Sequence, residues 1–338
     1  MTSPRSTFDL PTPAFVIDAD ALDRNLATMA AVHPGTRLRP HVKAHKCTAL
    51  AAAQVAHGHL AFTCATPREV LGMAAAGLGH DLLLANEVLD PVRLAALGTA
   101  QAGASITVAI DSDETLDAAA TAGIRSVLID VDVGLPRCGC APANAGALAD
   151  RARARGLEVR GVMGYEGHLM VVTDRAEQRA RVARAMDLLL QAHRDVGGDV
   201  VSAGGTGTYD LHDRVNEVQA GSYALMDTHY AQLGLPFEQA CFVVGTVISA
   251  TSERTVADVG LKALGMDHGN PSIDAAHVWF CSDEHVTFAN THGPQPRPGD
   301  RVRVVPAHID PTMAMHEIAW LVRGDEVVDR WPIDLRGW

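Results

Sequence analysis

A lysine lies at the end of a short segment that is expected to be a β-strand. Residues 37–40 lead to Lys43, and residues 47–56 have the composition of a helix. In folds that alternate strands and helices, active sites lie at the carboxyl ends of the strands. A lysine there is a candidate Schiff-base nucleophile, because burial and the neighbouring cations Arg39 and Lys46 favour its neutral amine. The alternative interpretation is a solvated basic patch.

Two glycine-rich loops follow later strand-like segments and are suited to holding a phosphate. Glycines at a strand end let several backbone N–H groups point at one anion, and hydroxyl groups add further donors. The residues concerned are Gly205, Thr206, Gly207 and Thr208 in the first loop and Gly221, Ser222 and Tyr223 in the second. Each loop alone is a weak signal. Together with Lys43 they predict pyridoxal 5′-phosphate (PLP), a phosphate-bearing cofactor that forms a Schiff base.

Eight strand-like segments, most of them separated by leucine- and alanine-rich helical segments, must position these residues. They are residues 37–40, 61–65, 82–85, 106–110, 127–131, 159–164, 200–204 and 217–220. The helix after the second strand has a clear start signal in Thr66, Pro67 and Glu69. This alternation predicts an α/β fold, a TIM-type (β/α)₈ barrel over residues 18–236. A doubly wound open sheet would have the same periodicity, which leaves both arrangements open.

The pattern changes beyond residue 236. Short apolar segments are separated by turns at residues 267–271 and 297–300, a pattern typical of antiparallel strands. We therefore expect a second, antiparallel β domain formed by residues 237–338, which the strand at the amino terminus joins. Residues 1–17 are assigned to that domain.

His308 and Asp310 are a candidate metal site in the β domain. Side chains at positions i and i+2 of an extended segment point to one side, so both can reach the same ion. The spacing alone is a weak signal, since His193 and Asp195 have it at the end of a predicted helix.

Composition restricts the class of protein. The chain has 338 residues, of which 47% are hydrophobic and 20% charged, as in soluble globular proteins. The formal net charge of −12 argues against nucleic acid or an anionic membrane as a partner. No apolar run reaches the ~18–20 residues of a membrane span. Residues 1–10 lack the apolar core of a signal peptide, which predicts a cytoplasmic protein.

Several motifs, taken in order along almost the whole chain, resemble those of the fold-type III PLP enzymes. They are residues 12–14, 39–46, 132–134, 137–139, 204–209, 219–223 and 306–312. Within that group the chain is similar to the D-threonine aldolase and D-serine dehydratase family. The resemblance implies an alanine racemase-like barrel with a β domain, assembled as a homodimer.

The resemblance also implies residue roles. Lys43 would be the Schiff-base lysine, Arg137 and Tyr165 would lie beside the cofactor, and the two loops would hold its phosphate. His168 or a metal-bound water is the candidate general base, and a positioning role is the alternative for His168. The segment that contains Lys262 and Asp267 also resembles the family, but its residues do not indicate a role.

The metal ligands favour one reaction over another. The resemblance implies that dehydratases of this family have a His-x-Cys pair that binds zinc, whereas the aldolases have a His-x-Asp pair. His308 and Asp310 form a pair of the second kind. A carboxylate favours Mn²⁺ or Mg²⁺, and Zn²⁺ stays possible. The sequence therefore predicts a lyase that cleaves D-3-hydroxy amino acids such as D-threonine to glycine and an aldehyde. The alternatives are a metal-dependent dehydratase and, less favoured, an amino-acid racemase or a non-catalytic PLP carrier.

Overall fold

The computed structural model describes residues 4–338, and packing groups them into two compact units. The barrel unit consists of residues 29–43, 50–221 and 335–338, and the β unit consists of residues 4–28, 44–49 and 222–334. The predicted domain limits at residues 17 and 236 remain a prediction.

The strands of the described residues, in chain order, are β1 (Ala14–Asp18), β2 (Ala61–Cys64), β3 (Asp81–Leu84), β4 (Ile106–Ile110), β5 (Ser126–Asp130), β6 (Glu158–Gly164), β7 (Val200–Ala203), β8 (Glu217–Val218), β9 (Cys241–Ala250), β10 (Thr255–Ala257), β11 (Ala276–Cys281), β12 (Val286–Asn290), β13 (Arg301–Val304), β14 (Ile318–Arg323) and β15 (Glu326–Pro332). The α-helices are α1 (Ala19–Val32), α2 (Thr48–Ala56), α3 (Pro67–Ala75), α4 (Pro91–Ala100), α5 (Asp113–Thr121), α6 (Ala145–Ala154), α7 (Arg175–Val196), α8 (Thr228–Ala231) and α9 (Ile309–Met315).

A parallel sheet, β2 to β8 in chain order, forms the barrel unit. Helices α3 to α7 connect successive strands from β2 to β7. The helix α3 starts as predicted, because the Thr66 hydroxyl accepts from the Glu69 N–H and the Glu69 carboxylate accepts from the Thr66 N–H. The barrel with its β unit confirms the predicted fold class.

Residues 38–41 close the ring between β8 and β2. Leu38 makes a parallel bridge to Val218, and His41 makes one to Thr63. The predicted strand at residues 37–40 is wrong in detail, since these residues make isolated bridges and follow a 3-10 turn at Gly35–Arg37. Pro40 has no N–H to donate, so regular pairing is interrupted there.

An ionic layer fills one level of the barrel interior. The Arg39 guanidinium donates to Glu217 Oε1 and Asp81 Oδ2, both at 2.8 Å, and Arg160 donates to Asp81 Oδ1 at 2.8 Å. Burial opposes these charges, yet the carboxylates of Glu217 and Asp81 outweigh it and raise the pKa of Arg39. Arg39 is therefore neutralised within the barrel. The predicted effect of its charge on Lys43 stays a prediction.

An apolar layer lies next to the ionic one. Leu83, Ala109, Leu128 and Met163, one residue from each of four neighbouring strands, pack together. Because side chains at positions i and i+2 of a strand share a face, Asp81 and Leu83 both point into the barrel. The interior is thus a packed core in layers, as in other TIM-type barrels.

The β unit is built on a sheet in the order β11-β12-β10-β9-β1-β14-β15, with β13 paired to β9. Strand β1 is antiparallel to β9 and parallel to β14, and the other pairs of these strands are antiparallel. The predicted addition of the amino-terminal strand is thereby confirmed. Val16, Phe242, Val244 and Val322 are among the buried residues of its core.

Within residues 4–338, the helices all lack the combination of length and apolarity that crossing a lipid bilayer would require.

Candidate active site and metal centre

Lys43 lies in a 3-10 turn, Val42–Ala44, directly after the segment that closes the barrel. Its side chain is half-buried, and its backbone N–H donates to His41 Nδ1 at 3.4 Å. The chain has three lysines, the others being Lys46 and Lys262. Lys262 is exposed and pairs with Glu284 at 2.6 Å. This scarcity is a sequence signal that singles out the region of Lys43 as the source of a reactive amine.

Arg137 and Tyr165 come together at the carboxyl ends of the strands, as expected for a shared site. The Arg137 guanidinium lies 5.4 Å from the centre of the Tyr165 ring. The same ring borders the glycine-rich loop, since a Cβ atom at Gly205 would lie 3.5 Å from Tyr165 Cε2. Three of the residues predicted to surround the cofactor are therefore neighbours.

A cluster of acidic groups and a thiol adjoins Arg137, and sequence reasoning missed it. Side-chain atoms of Glu87, Asp111 and Cys138 lie within 4.8 Å of one another, and Asp130 and Arg137 line one small cavity with Cys138. Burial and the Glu87 carboxylate raise the pKa of Asp130 well above its usual range. Burial also raises the pKa of Cys138 to about 11, so the group is a thiol rather than a thiolate at neutral pH.

The loop after β7 is anchored by a buried carboxylate. The Gly204 N–H donates to Glu166 Oε2 at 3.3 Å, and the Thr208 hydroxyl donates to Glu166 Oε1 at 2.7 Å. His212 Nε2 lies 2.8 Å from the same oxygen, and the side chains of Glu166 and His212 are both fully buried. Burial would raise the pKa of Glu166, but His212 and Thr208 outweigh it and lower the pKa.

This network changes the interpretation of the loop. A Cβ atom at Gly207 would overlap the Met170 carbonyl, so close packing by itself requires this glycine. A Cβ atom at Gly205 would lie 2.8 Å from the Met170 sulfur, which is part of a flexible side chain that can move. The Thr208 hydroxyl serves the internal network. The assignments of Gly205, Thr206, Gly207 and Thr208 to a phosphate site remain predictions.

The second predicted loop contains the position along the chain at which one unit ends and the other begins. Gly221 ends a segment of the barrel unit, and Ser222 and Tyr223 begin a 3-10 turn, Ser222–Ala224, of the β unit. The Tyr223 ring is fully buried and lies 5.7 Å from that of Phe237. Their cofactor contacts also remain predictions.

His168 is exposed in a 3-10 turn, Gly167–Leu169, after β6. Its ring lies against Gly134, where a Cβ atom would be 3.2 Å from His168 Cε1. Burial and then the charge of Arg181 lower the pKa of His168 below its usual value. The imidazole is therefore neutral at pH 7, the form that accepts a proton.

The predicted metal pair has a different local geometry from the one that the sequence suggested. His308 is the N-cap of α9, and Asp310 lies in the first turn of this helix. The predicted extended segment over residues 308–310 is therefore wrong, because a helix begins at Ile309 and the side-chain direction of strands does not apply there. The assignment of Asp310 as a ligand stays a prediction.

The structure instead groups His308 with two residues that are about forty positions away. His308 Nδ1 lies 2.7 Å from Asp267 Oδ2, and the rings of His268 and His308 stack with centres 4.1 Å apart. Ligand atoms of Asp267, His268 and His308 all lie within 4.8 Å of one another. Two imidazoles and a carboxylate suit a divalent first-row ion, so this donor chemistry fits a metal.

The profile of the family described as "Alanine racemase, N-terminal domain" matches residues 17–229, and a serine dehydratase domain profile matches residues 240–322. The chain belongs to this alanine racemase-like family of fold-type III PLP enzymes, which confirms the resemblance inferred from the motifs. Family membership implies PLP. Lys43 is half-buried and directly follows the segment that closes the barrel, which fits the covalent attachment that this cofactor requires.

Relatives of known activity match over nearly the full chain. A D-threonine aldolase from Arthrobacter sp. is 36% identical and covers 96% of this chain and 93% of its own length. A 3-hydroxy-D-aspartate aldolase from Paracoccus denitrificans is 30% identical and covers 97% of this chain and 93% of its own length.

Solved structures agree with these matches. The D-threonine aldolase from Filomicrobium marinum superposes with a TM-score of 0.93 at 34% identity, covering 100% of this chain and 99% of that one. The D-threo-3-hydroxyaspartate dehydratase from Delftia sp. HT23 superposes with a TM-score of 0.90 at 27% identity, covering 99% and 100%. The chain is thus homologous to both aldolases and dehydratases of D-3-hydroxy amino acids.

Proposed function

We propose that the protein is a PLP- and divalent-metal-dependent aldolase that cleaves D-3-hydroxy amino acids of the D-threonine type to glycine and an aldehyde. The observation that carries the proposal is the oxygen and nitrogen donor set around His308 in a chain whose relatives include D-threonine aldolase. Asp310, two residues after His308, adds a further carboxylate to that region. By the family resemblance, a dehydratase would have a cysteine at this position.

Residues of the barrel unit would bind and orient PLP. When bound, PLP supplies a sink for the electron pair of the broken Cα–Cβ bond. The Lys43 amine would hold the cofactor covalently, and Arg137 with Tyr165 would border it. Glu166 would keep the Gly204–Thr208 loop in place through its hydrogen bonds.

His168 would move the proton that bond cleavage requires. Its neutral imidazole accepts the proton of the substrate's β-hydroxyl at a ring nitrogen, which leaves an oxygen that can form the aldehyde. In the β unit, His308 and Asp310 would hold a divalent ion, whose positive charge would lower the pKa of the substrate's hydroxyl.

The finer assignments belong to the same proposal. Mn²⁺ or Mg²⁺ is favoured because carboxylate oxygens suit hard ions, although the two imidazoles of the cluster also accommodate Zn²⁺. We further propose a homodimer in the cytoplasm, with a small D-3-hydroxy amino acid as substrate and neither nucleic acid nor a membrane as partner.

The second candidate function is a D-3-hydroxy amino acid dehydratase. The superposition on the Delftia dehydratase over nearly the full length of both chains favours it. On the same scaffold Lys43 would remove the α-proton, and a divalent ion held by His308 and Asp310 would supply the Lewis acid for loss of the hydroxyl group.

Product analysis separates the two functions. PLP-loaded protein with Mn²⁺ is incubated with D-threonine, and L-threonine serves as the control substrate. The aldolase yields acetaldehyde and glycine, whereas a dehydratase yields 2-oxobutyrate and ammonia. Removal of divalent ions with a chelator should abolish cleavage, and added Mn²⁺ should restore it. Acetaldehyde production that persists after chelation would contradict the metal-dependent mechanism.

A further inference from the structure

Asp267 lies in a segment of the β unit, residues 260–267, to which the sequence assigned no role. The structure holds the end of this segment against His308. Gly265 makes an antiparallel bridge with His308, and its N–H donates to the Thr312 hydroxyl at 2.8 Å. The same hydroxyl donates to the carbonyl oxygen of His308 at 2.6 Å.

Close packing fixes this arrangement further. A Cβ atom at Gly265 would overlap Pro311 and would lie 2.8 Å from the His308 carbonyl oxygen, so the two backbones approach as closely as glycine allows. Thr312, which links them, is fully buried. The proximity of Asp267 to His308 therefore follows from a packed backbone and is more than a chance contact of two surface side chains.

Two contacts restrain the His308 ring. Asp267 Oδ2 lies 2.7 Å from Nδ1, which fixes the ring's rotation and leaves Nε2 for another partner. The His268 ring covers one face of His308 with an angle of 15° between the planes, and His229 lies 4.0 Å from His268 on the same stack. Metal-binding histidines commonly donate their second ring N–H to a carboxylate, which fixes the tautomer and orients the ring.

We propose that Asp267 is a positioning residue that holds His308 with Nε2 presented to the divalent ion. The inference rests on the proposed function only in that a metal ion binds at His308. It differs from direct ligation by Asp267, because a positioning carboxylate needs to accept a hydrogen bond, whereas a ligand needs its negative charge. The side chain of Asp267 is 57% exposed, so its substitution leaves the core intact.

The test is Mn²⁺ binding, measured without turnover. Full-length PLP-loaded protein is freed of metal and titrated with Mn²⁺, and the free ion is followed by electron paramagnetic resonance. Asp267→Ala should raise the Kd by about 10- to 100-fold. Asp267→Asn should recover most of the affinity, because its amide oxygen still accepts from the Nδ1–H of His308. The exposed Asp274→Ala, which removes the same charge elsewhere in the β unit, should match the wild type.

Three results would overturn the inference or its basis. If Asp267→Ala binds Mn²⁺ as tightly as the wild type while His308→Ala does not, Asp267 has no positioning role and the metal site stands. If Asp267→Asn is as weak as Asp267→Ala, the charge itself is needed and Asp267 is a ligand. If the wild type and His308→Ala bind Mn²⁺ equally, the proposed metal site at His308 fails, and the inference fails with it. Thermal unfolding of each variant verifies that it is folded.

Discussion

Lys43 is the residue on which the cofactor assignment depends. It is one of three lysines and directly follows the segment that closes the barrel, whereas Lys262 forms an exposed ion pair with Glu284. Arg39, which the sequence predicted to act on Lys43, is paired with Glu217 and Asp81.

Covalent attachment can be assigned directly because lysines are so few. Borohydride reduction of the PLP-loaded protein, followed by proteolysis and mass spectrometry, should place the pyridoxyl group on Lys43. Lys43→Ala should lose the PLP absorbance band and all activity, while Lys262→Ala should retain both. A reduced adduct on Lys46 would refute the assignment.

His168 carries a pH prediction. Burial and Arg181 lower the pKa of His168, so the neutral form persists at pH values where an ordinary histidine is half-protonated. The value of kcat/KM should be constant near neutrality and fall only in more acidic solution, as the imidazole becomes protonated. Replacing His168 by Gln should reduce kcat about 10²- to 10⁴-fold and remove the acidic limb of the profile.

The control is His292→Gln, which changes an exposed histidine of the β unit. It should leave both the rate and the pH profile unchanged. If His168→Gln lowers the rate but keeps the acidic limb, His168 is a positioning residue rather than the base.

At the scale of elements, the loop after β7 depends on residues that lie outside it. Glu166, which lies just after β6, accepts hydrogen bonds from Gly204 and Thr208, and His212 lies within hydrogen-bonding distance. A buried carboxylate beside an imidazole thus links two neighbouring strand ends. Its carboxylate form is retained at neutral pH because His212 and Thr208 lower its pKa against the effect of burial.

Replacing Glu166 by Ala should loosen this loop. The loss of a buried charged partner should reduce the free energy of unfolding by about 3–5 kcal/mol. We expect a weaker affinity for PLP as well, measured by the absorbance of bound cofactor during dilution. Glu166→Gln, which keeps an acceptor for Thr208, should have a smaller effect, and the exposed Glu177→Ala should have none. Unchanged PLP affinity in Glu166→Ala would show that the loop does not depend on this anchor.

For the whole molecule, closure of the barrel depends on the ionic layer. Arg39 lies in the closing segment, and its two partners, Glu217 in β8 and Asp81 in β3, belong to different strands of the ring. Arg160 of β6 completes a set of two cations and two anions. Charge balance makes the layer stable only as a complete set, because a buried charge without its partner is strongly unfavourable.

Asp81→Asn should therefore destabilise the protein by about 3–5 kcal/mol, because Arg39 and Arg160 would share a single carboxylate. Asp113→Asn, which breaks an exposed pair with Arg151, should change stability by about 0–1 kcal/mol. Chemical unfolding measures both. Equal effects of the two substitutions would contradict the role of the ionic layer.

The stability that Asp81 contributes should depend on pH. Burial would raise the pKa of Asp81, but the two arginines outweigh it and lower the pKa below its usual value. The stabilisation is therefore complete at pH values above the usual pKa of a carboxyl group. It is lost as the pH falls toward the lower pKa that Asp81 has in the folded state. The acid-induced loss of stability should be smaller in Asp81→Asn.

Local patterns in the sequence were sufficient for much of the fold. The alternation of strands and helices predicted an α/β fold, and Thr66 with Glu69 predicted the start of α3, because these features depend on neighbouring residues alone. The pattern failed at residues 37–40, where Pro40 interrupts regular pairing, and at His308, where a helix begins in place of an extended segment.

The sequence by itself predicted the alternation of strands and helices, the family and Lys43 as the candidate Schiff-base lysine. Only the tertiary structure paired Arg39 with Glu217, Glu166 with His212 and Asp267 with His308. These partners are 178, 46 and 41 residues apart along the chain. The periodicity of helices and strands extends over a few residues, so it carries no information about such distances. Packing decides which charges are neutralised, which loop is anchored and which ring is held in place.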